Sequence, residues 1–385
     1  MAALGRRYGG KTISVIHIME GAIWAGAEVQ LYNLATALNR AGTCDFEVIL
    51  LNHGILEQRL RDSNIPVTVY DESRLGTVAL FFRIFSYLLR KRPCIVHAHK
   101  QKESILASFA TSLLPGTICL RTIHGAYEPR IRSWQLHKRL IRFADLFCGR
   151  HIQRWIVSVS AELTGILVEY FPRNKIVTIE NAIDTEAIEQ QSHAPIDLPG
   201  PIDCVRIAIV GRFVPIKRMD IFLYTAHHLI QSGEQRACFY VLGDGPLYVP
   251  MRKLAAELEL TGHVFFLGFR DNVPATLSKM NMIVMTSDHE GLPMSLLEAL
   301  TLKVPIIAHA VGGIPDVLEH GNCGTLVARN NPSDFARAIR YYLDEPQPFL
   351  DKAERGYEYV RTRYAANRMA EDYTALYRKL SPRST

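Results

Sequence analysis

The sequence predicts an α/β protein built from two doubly wound parallel-sheet domains that face a cleft. Three observations carry that expectation. β-branched apolar runs alternate with helical periodicities along the chain, the pattern of right-handed βαβ units. The alternation breaks once, at 193–201, where Pro195, Pro199, Gly200 and Pro201 cluster, and then restarts. The strands run into glycine-rich or polar loops, and doubly wound sheets gather such loops at the crevice where ligands bind. At 385 residues the chain is too long for one ordinary domain and comfortable for two, expected at 1–195 and 202–362.

The elements follow in order. Thr12-Ile13-Ser14-Val15-Ile16-His17-Ile18 reads as a buried strand, and the small residues 21–26 as a loop. Ala27 to Asn39 reads as a helix, with Val29, Leu31, Leu34, Ala35 and Leu38 on one stripe. Strands are expected at 46–51 and 67–70, then a helix at 78–90 whose many Phe and Leu suggest buried core rather than a membrane anchor. Cys94 to His99, Thr117 to Ile123 and Trp155 to Ser160 are the next strands. After the break, strands are expected at 205–210, 237–242, 264–267, 283–286 and 305–308. They end at Gly211-Arg212, Gly243-Asp244-Gly245, Gly268, the loop holding Glu290, and Gly312-Gly313.

Composition sets the class. Hydrophobic residues make up 48% and charged residues 21%, an ordinary globular balance with no run long enough for a spanning helix. Met1 to Lys11 reads as a short disordered lead-in without the apolar core of a signal peptide. The seven cysteines are scattered and never spaced Cys-x-x-Cys, which speaks against structural zinc and a disulfide framework and for the cytosol. Net charge is +6: residues 1–200 hold 23 Lys+Arg against 18 Asp+Glu, or +5, and residues 201–385 hold 21 against 20, or +1. The excess suits an anionic partner of the first half; no nucleic-acid partner is expected.

The richest stretch is His289-Glu290-Gly291-Leu292-Pro293-Met294-Ser295-Leu296-Leu297-Glu298. Glu290 falls on a strand-end loop, Pro293 fits the first turn of a helix, and Glu298 lies inside that helix. Backbone N–H groups at such a helix start attract phosphate or sugar oxygens, leaving one carboxylate for a sugar and the other for a ribose. The plain alternative is a chance pair with Glu298 as a surface charge. Arg212 and Lys217 are placed to converge on a diphosphate, Arg by its planar fork and Lys as a point charge. Gly26, in Trp24-Ala25-Gly26-Ala27-Glu28, lets backbone approach a phosphate, though a tight packing turn reads equally well. His124 at a strand end suits a sugar hydroxyl or developing charge, against the commoner structural histidine. His97 and His99 share one side of their strand, but no third ligand is spaced to complete a metal site, so none is expected.

Residues 135–147 form a basic amphipathic helix, with Leu136, Leu140, Phe143, Ala144 and Phe147 on the stripe and Lys138, Arg139 and Arg142 off it. Arg130, Arg132, Arg150 and Arg154 flank it. The preferred reading is an ordinary packed helix; the alternative is docking on anionic lipid.

Assembled, these residues resemble the retaining glycosyltransferases of GT-B fold, family four. The resemblance rests on Ala25-Gly26-Ala27-Glu28, His124-Gly125, Val157-Ser158-Val159-Ser160, Glu180-Asn181-Ala182-Ile183-Asp184, Gly211-Arg212 with Lys217, Gly243-Asp244-Gly245-Pro246, Leu267-Gly268-Phe269, Glu290-Gly291-Leu292-Pro293 with Glu298, and Gly312-Gly313-Ile314-Pro315. It implies two Rossmann-like domains and a C-terminal helix, 363–385, crossing back to the first. It implies a nucleotide-sugar donor, UDP-sugar ahead of GDP-sugar, and a glycan or lipid-linked acceptor. Arg212 and Lys217 would face the diphosphate, Glu298 the ribose, and the loop of Gly268, Phe269 and Arg270 the base. Glu290, Gly291, Leu292 and Met294 would hold the sugar, with His124 beside it, and no metal or other cofactor would be needed. The setting implied is bacterial polysaccharide or lipopolysaccharide assembly, cytoplasmic or peripheral on the inner membrane face. A non-enzymatic sugar-binding scaffold and a GT-B nucleotide-sugar epimerase are the alternatives.

Overall fold

The computed structural model describes residues 13–92, 94–125 and 136–380; the expected lead-in and the flanking Arg130 and Arg132 lie outside them. Alternating strands and helices form two wholly parallel sheets. The first holds β1 (Ser14–Met19), β2 (Asp45–Leu50), β3 (Val67–Val69), β4 (Cys94–Ala98), β5 (Thr117–Ile123), β6 (Trp155–Ser158) and β7 (Ile176–Thr178), in the order β3-β2-β1-β4-β5-β6-β7. The second holds β8 (Val205–Val210), β9 (Ala237–Leu242), β10 (Val264–Gly268), β11 (Met282–Met285), β12 (Ile306–His309) and β13 (Thr325–Val327), in the order β10-β9-β8-β11-β12-β13. In both sheets the order reverses beside the first strand, which opens a crevice at the carboxyl ends.

The sequence-expected strands appear within a residue or two. The three-residue strands β7 and β13 were not among them. The helix expected at 27–39 spans Gly26–Ala41, closed by Gly42 at φ +59°, a left-handed cap that glycine reaches without strain. Pro293 does not occupy the first helical turn: it is extended at φ −75°, ψ 117°, and the helix runs Met294–Thr301.

Two apolar expectations are corrected. Helix Thr77–Lys91 meets its expectation on one face only, where Leu80, Ile84 and Leu88 enter the core with Phe81 and Phe85 packed beside them, and leaves Val78, Phe82 and Leu89 exposed. Helix Leu136–Phe147 is not packed by its stripe: Leu136, Leu140 and Phe143 are each about 70% exposed and Phe147 is also open. The 3.6-residue period fixes that a stripe exists, while its orientation depends on what lies beside it.

The chain changes sheets twice, at neighbouring points. Ile183 and Ile188, which precede the proline-rich segment, already pack in the core under the second sheet. It returns at Tyr364–Ala366, where Ile183 N–H donates to Tyr364 O at 2.8 Å and Ala366 N–H to Ile183 O at 3.0 Å. Helix Ala366–Leu380 then seals the first core, packing Met369, Tyr373 and Tyr377 with Val15, Leu34, Ile95 and Val157.

Candidate active site

The carboxyl ends of both sheets face one cavity of about 580 Å³. On the second side, β8 delivers Gly211-Arg212 and β9 delivers Gly243-Asp244-Gly245. Gly243 has φ +130°, and a Cβ there would lie 2.0 Å from Gly211 O. Only glycine lets these two loops touch, and the contact holds Arg212 and Asp244 at the cavity wall. Arg212 is exposed and makes no ion pair among the described residues. Lys217 Nζ pairs with the carboxylate of Glu290, which also accepts from Ser287 Oγ at 2.6 Å. The residues read separately as diphosphate and sugar ligands are therefore in contact. The Glu290 loop is pinned from behind by Gly312 and Gly313, whose added Cβ atoms would lie 1.9 Å from Glu290 O and from Gly291 O.

Gly291, Leu292, Met294 and Glu298 line the cavity, the last one helical turn past Met294. Burial raises the Glu298 carboxyl to about 7, partly offset by the positive charge of Arg59. Phe269 and Arg270 also line it; Gly268 does not, closing β10 behind them at φ +67°.

On the first side, Gly26 opens its helix opposite Met294, with 3.8 Å between a built Cβ and Met294 Cγ. Trp24 carries the Arg59 guanidinium 4.3 Å above its ring, and Arg59 Nη2 reaches across to donate to Asp271 O at 2.8 Å. Arg59 escaped the sequence reading because helix Ile55–Asp62 carries no motif, and only the fold brings it to the cavity.

His124 follows β5 and lines the cavity with neither ring nitrogen hydrogen-bonded. Burial lowers it to about 3, so it is a neutral imidazole, suited to hydrogen bonding rather than to taking a proton. Behind it the structure supplies the third histidine that the sequence lacked. His17 Nδ1 and His99 Nε2 lie 3.0 Å apart, and parallel pairing of β1 with β4 sets His17 beside His97. The three ligand atoms lie within 4.8 Å of one another. Both His97 nitrogens already share hydrogen bonds of 2.8 Å, with Tyr377 Oη and Thr122 Oγ1. Burial holds all three rings neutral, and the cluster reads as a hydrogen-bonded core.

Every residue expected at the donor or sugar site except Gly268 thus lines one cavity, while His97 and His99 lie behind it. Arg212, Lys217 and Arg270, the carboxylates Glu290 and Glu298, and the neutral imidazole of His124 are among the groups that converge there, a set matched to an anionic, hydroxyl-rich ligand. Residues 24–187 match the model of Glycosyltransferase Family 4, and residues 203–363 that of Glycosyl transferases group 1. The chain is 26% identical over 305 residues to N-acetyl-alpha-D-glucosaminyl L-malate synthase of Bacillus anthracis, covering 78% of each. It is 24% identical over 342 residues to the UDP-Gal:alpha-D-GlcNAc-diphosphoundecaprenol alpha-1,3-galactosyltransferase of Escherichia coli, covering 83% of this chain and 88% of that one. The fold superposes on the crystal structure of Anabaena Alr3699/HepE in complex with UDP-glucose with a TM-score of 0.80 at 17% identity, over 95% of this chain and 100% of the other. With both matched segments meeting at the cavity, the chain belongs to glycosyltransferase family 4, the group 1 glycosyl transferases of GT-B fold.

Proposed function

We propose that the protein is a retaining, metal-independent hexosyltransferase that moves a sugar from a UDP-sugar to a glycan or lipid-linked acceptor in bacterial cell-surface polysaccharide or lipopolysaccharide synthesis. The observation that carries this is the convergence of Arg212, Lys217, Glu290, Glu298 and His124 on one cavity. Arg212 and Lys217 stabilise the charge that grows on the departing diphosphate. Glu298 accepts from the ribose hydroxyls. Glu290, already held by Lys217 and Ser287, orients the sugar rather than attacking it. The acceptor oxygen bonds to the anomeric carbon on the face that the nucleotide leaves. The anomeric carbon–oxygen bond to diphosphate breaks, and the acceptor proton passes to the departing phosphate oxygen. His124 hydrogen-bonds a sugar hydroxyl in its neutral form.

Thermal stabilisation by UDP and GDP and their sugars tests the donor, because a ligand raises the melting temperature by mass action. NMR of the product's anomeric configuration tests retention: inversion defeats it. Loss of activity in EDTA that a divalent ion restores defeats metal independence. Conversion of the donor without acceptor would favour an epimerase, and no donor binding would favour a scaffold.

The same reading includes peripheral attachment to the cytoplasmic membrane face. No helix among the described residues is long and apolar enough to cross a membrane. Exposed Leu136, Leu140, Phe143 and Phe147 lie beside Lys138, Arg139 and Arg142, the arrangement of a helix that lies in a lipid interface. Each basic residue near anionic lipid contributes about 1 kcal/mol, lost in high salt. Equal sedimentation with neutral and anionic vesicles at low salt removes the electrostatic part of this reading.

A further inference from the structure

Helix Thr77–Lys91 presents two apolar lines, and only one of them has a partner. Leu80, Ile84 and Leu88 enter the first core. Val78, Phe82, Phe85 and Leu89 follow a second line, spaced four, three and four residues apart. At about 100° per residue these four positions fall within an arc of about 60° on the outer side of the helix. Val78, Phe82 and Leu89 are 71%, 61% and 42% exposed, and Phe85 is half-buried. The line is firmly seated. Phe81 packs on the core and holds Phe82 and Phe85 by ring contacts, with centroids 5.5 and 6.1 Å away.

Two features say what covers this line. Apolar residues spaced four and three apart within a narrow arc form the seam by which one helix meets another, whereas a helix that lies in lipid shows a broader apolar face. The seam is also complementary to itself. Turned end for end about its midpoint, Val78 falls opposite Leu89 and Phe82 opposite Phe85, which is the match that a two-fold axis requires. Charge selects the same direction. Arg90 and Arg92 close the helix, exposed and with no ion-pair partner among the described residues. Ahead of its other end, Asp71 is paired with Arg74 and Glu72 with Lys102, so that end carries no net charge from these groups. A parallel pair would stack the two positive ends, while an antiparallel pair holds them a helix length apart.

We propose that the outer face of helix Thr77–Lys91 joins two copies of this chain in a symmetric antiparallel dimer. Val78 of each copy packs on Leu89 of the other, and Phe82 on Phe85. No residue of this helix lines the cavity between the two sheets, so the pairing leaves both sites open and stands apart from the glycosyltransferase reading.

Sedimentation velocity of the full chain from about 1 μM to about 100 μM reads the mass. A dimer is expected, and Phe82→Glu is expected to raise its dissociation constant at least about tenfold, with the circular dichroism spectrum unchanged because Phe82 is exposed in the single chain. Direction is read with Val78→Cys and Leu89→Cys, each treated alone and as an equimolar mixture with a short bismaleimide, the wild type serving as the blank for the native thiols. Covalent dimer above the blank is expected in the mixture and in neither variant alone. A monomer over the whole range overturns the interface, as does a dimer that Phe82→Glu leaves intact. Cross-linking of Val78→Cys with itself overturns the antiparallel arrangement. A chain that stays monomeric but binds phosphatidylglycerol vesicles, and loses them with Phe82→Glu, overturns the dimer and assigns the seam to lipid.

Discussion

The carboxyl of Glu298 permits a prediction whose size follows from its surroundings. Burial raises it from an ordinary 4.5 to about 7. A raised acid stabilises the fold while it is protonated, and that contribution is lost as pH rises from 4.5 through 7. A shift of about 2.5 units at about 1.36 kcal/mol each makes the upper figure about 3 kcal/mol. The side chain is partly open to the cavity, where water screens it, so about 1.5–3 kcal/mol is expected. Glu298→Gln cannot ionise and escapes this cost. Urea unfolding of both proteins at pH 5.5 and 8.5 reads it as a double difference: part of the cost is already incurred at pH 5.5, so the variant should gain about 1–2 kcal/mol relative to wild type on going to pH 8.5. UDP should behave in the opposite sense, since ribose hydroxyls donate to a carboxylate. Wild-type affinity should rise with pH up to about 7 and then level, while the variant binds weakly and without that rise. A double difference within about 0.5 kcal/mol of zero would refute the burial argument.

Three further outcomes are expected. Burial holds His17 and His124 at about 3 and His97 and His99 well below 6.5, while Glu103 and Glu298 are raised to about 7. Between pH 6.5 and 4.5 the unfolded chain therefore binds four imidazole protons that the native state refuses, against two carboxyl protons that only the native state holds. The net is proton uptake on unfolding, so stability should fall on acidification across this range, and a flat urea midpoint contradicts it. Gly313→Ala drives a methyl into Gly291 O at 1.9 Å, so kcat should drop by about tenfold or more and stability by about 1–3 kcal/mol; unchanged kinetics would show that the loop yields freely. Arg59→Ala removes the reach to Asp271 and the one attractive charge felt by Glu298, so the donor KM should rise by about three- to tenfold and the pH at which UDP affinity levels should move upward. Arg59→Lys should restore the second effect more than the first, and the absence of any shift in that pH would separate Arg59 from Glu298.

What was legible in the sequence follows from the range of the forces involved. β-branched runs such as Val205–Val210 and the loops behind them announce a parallel sheet, because burial on both faces and strand-end turns are local demands. Lys217, Glu290 and Glu298 were legible because the short stretches that carry them, two loops and the start of a helix, have recognisable composition. Arg59 was not, since its partners Trp24 and Asp271 are joined to it only by topology. The same holds for His17, brought to His97 by the register of β1 on β4. The stripe of helix Leu136–Phe147 was visible but its outward orientation was not, because periodicity carries no information about the neighbouring face.

Helix Ala366–Leu380 bears on how the protein is made. It supplies Met369, Tyr373 and Tyr377 to the first core, and Tyr377 shares the hydrogen bond that fixes His97. Domains commonly fold in the order of their synthesis, the N-terminal one first. Here the ribosome delivers the first sheet early but withholds the piece that closes it until the entire second sheet has been translated. The first half must wait with Val15, Leu34, Ile95 and Val157 uncovered while the second half folds beside it. Completion is thus tied to arrival of the last helix, and a nascent chain stalled before Ala366 would hold a finished second half joined to an open first one.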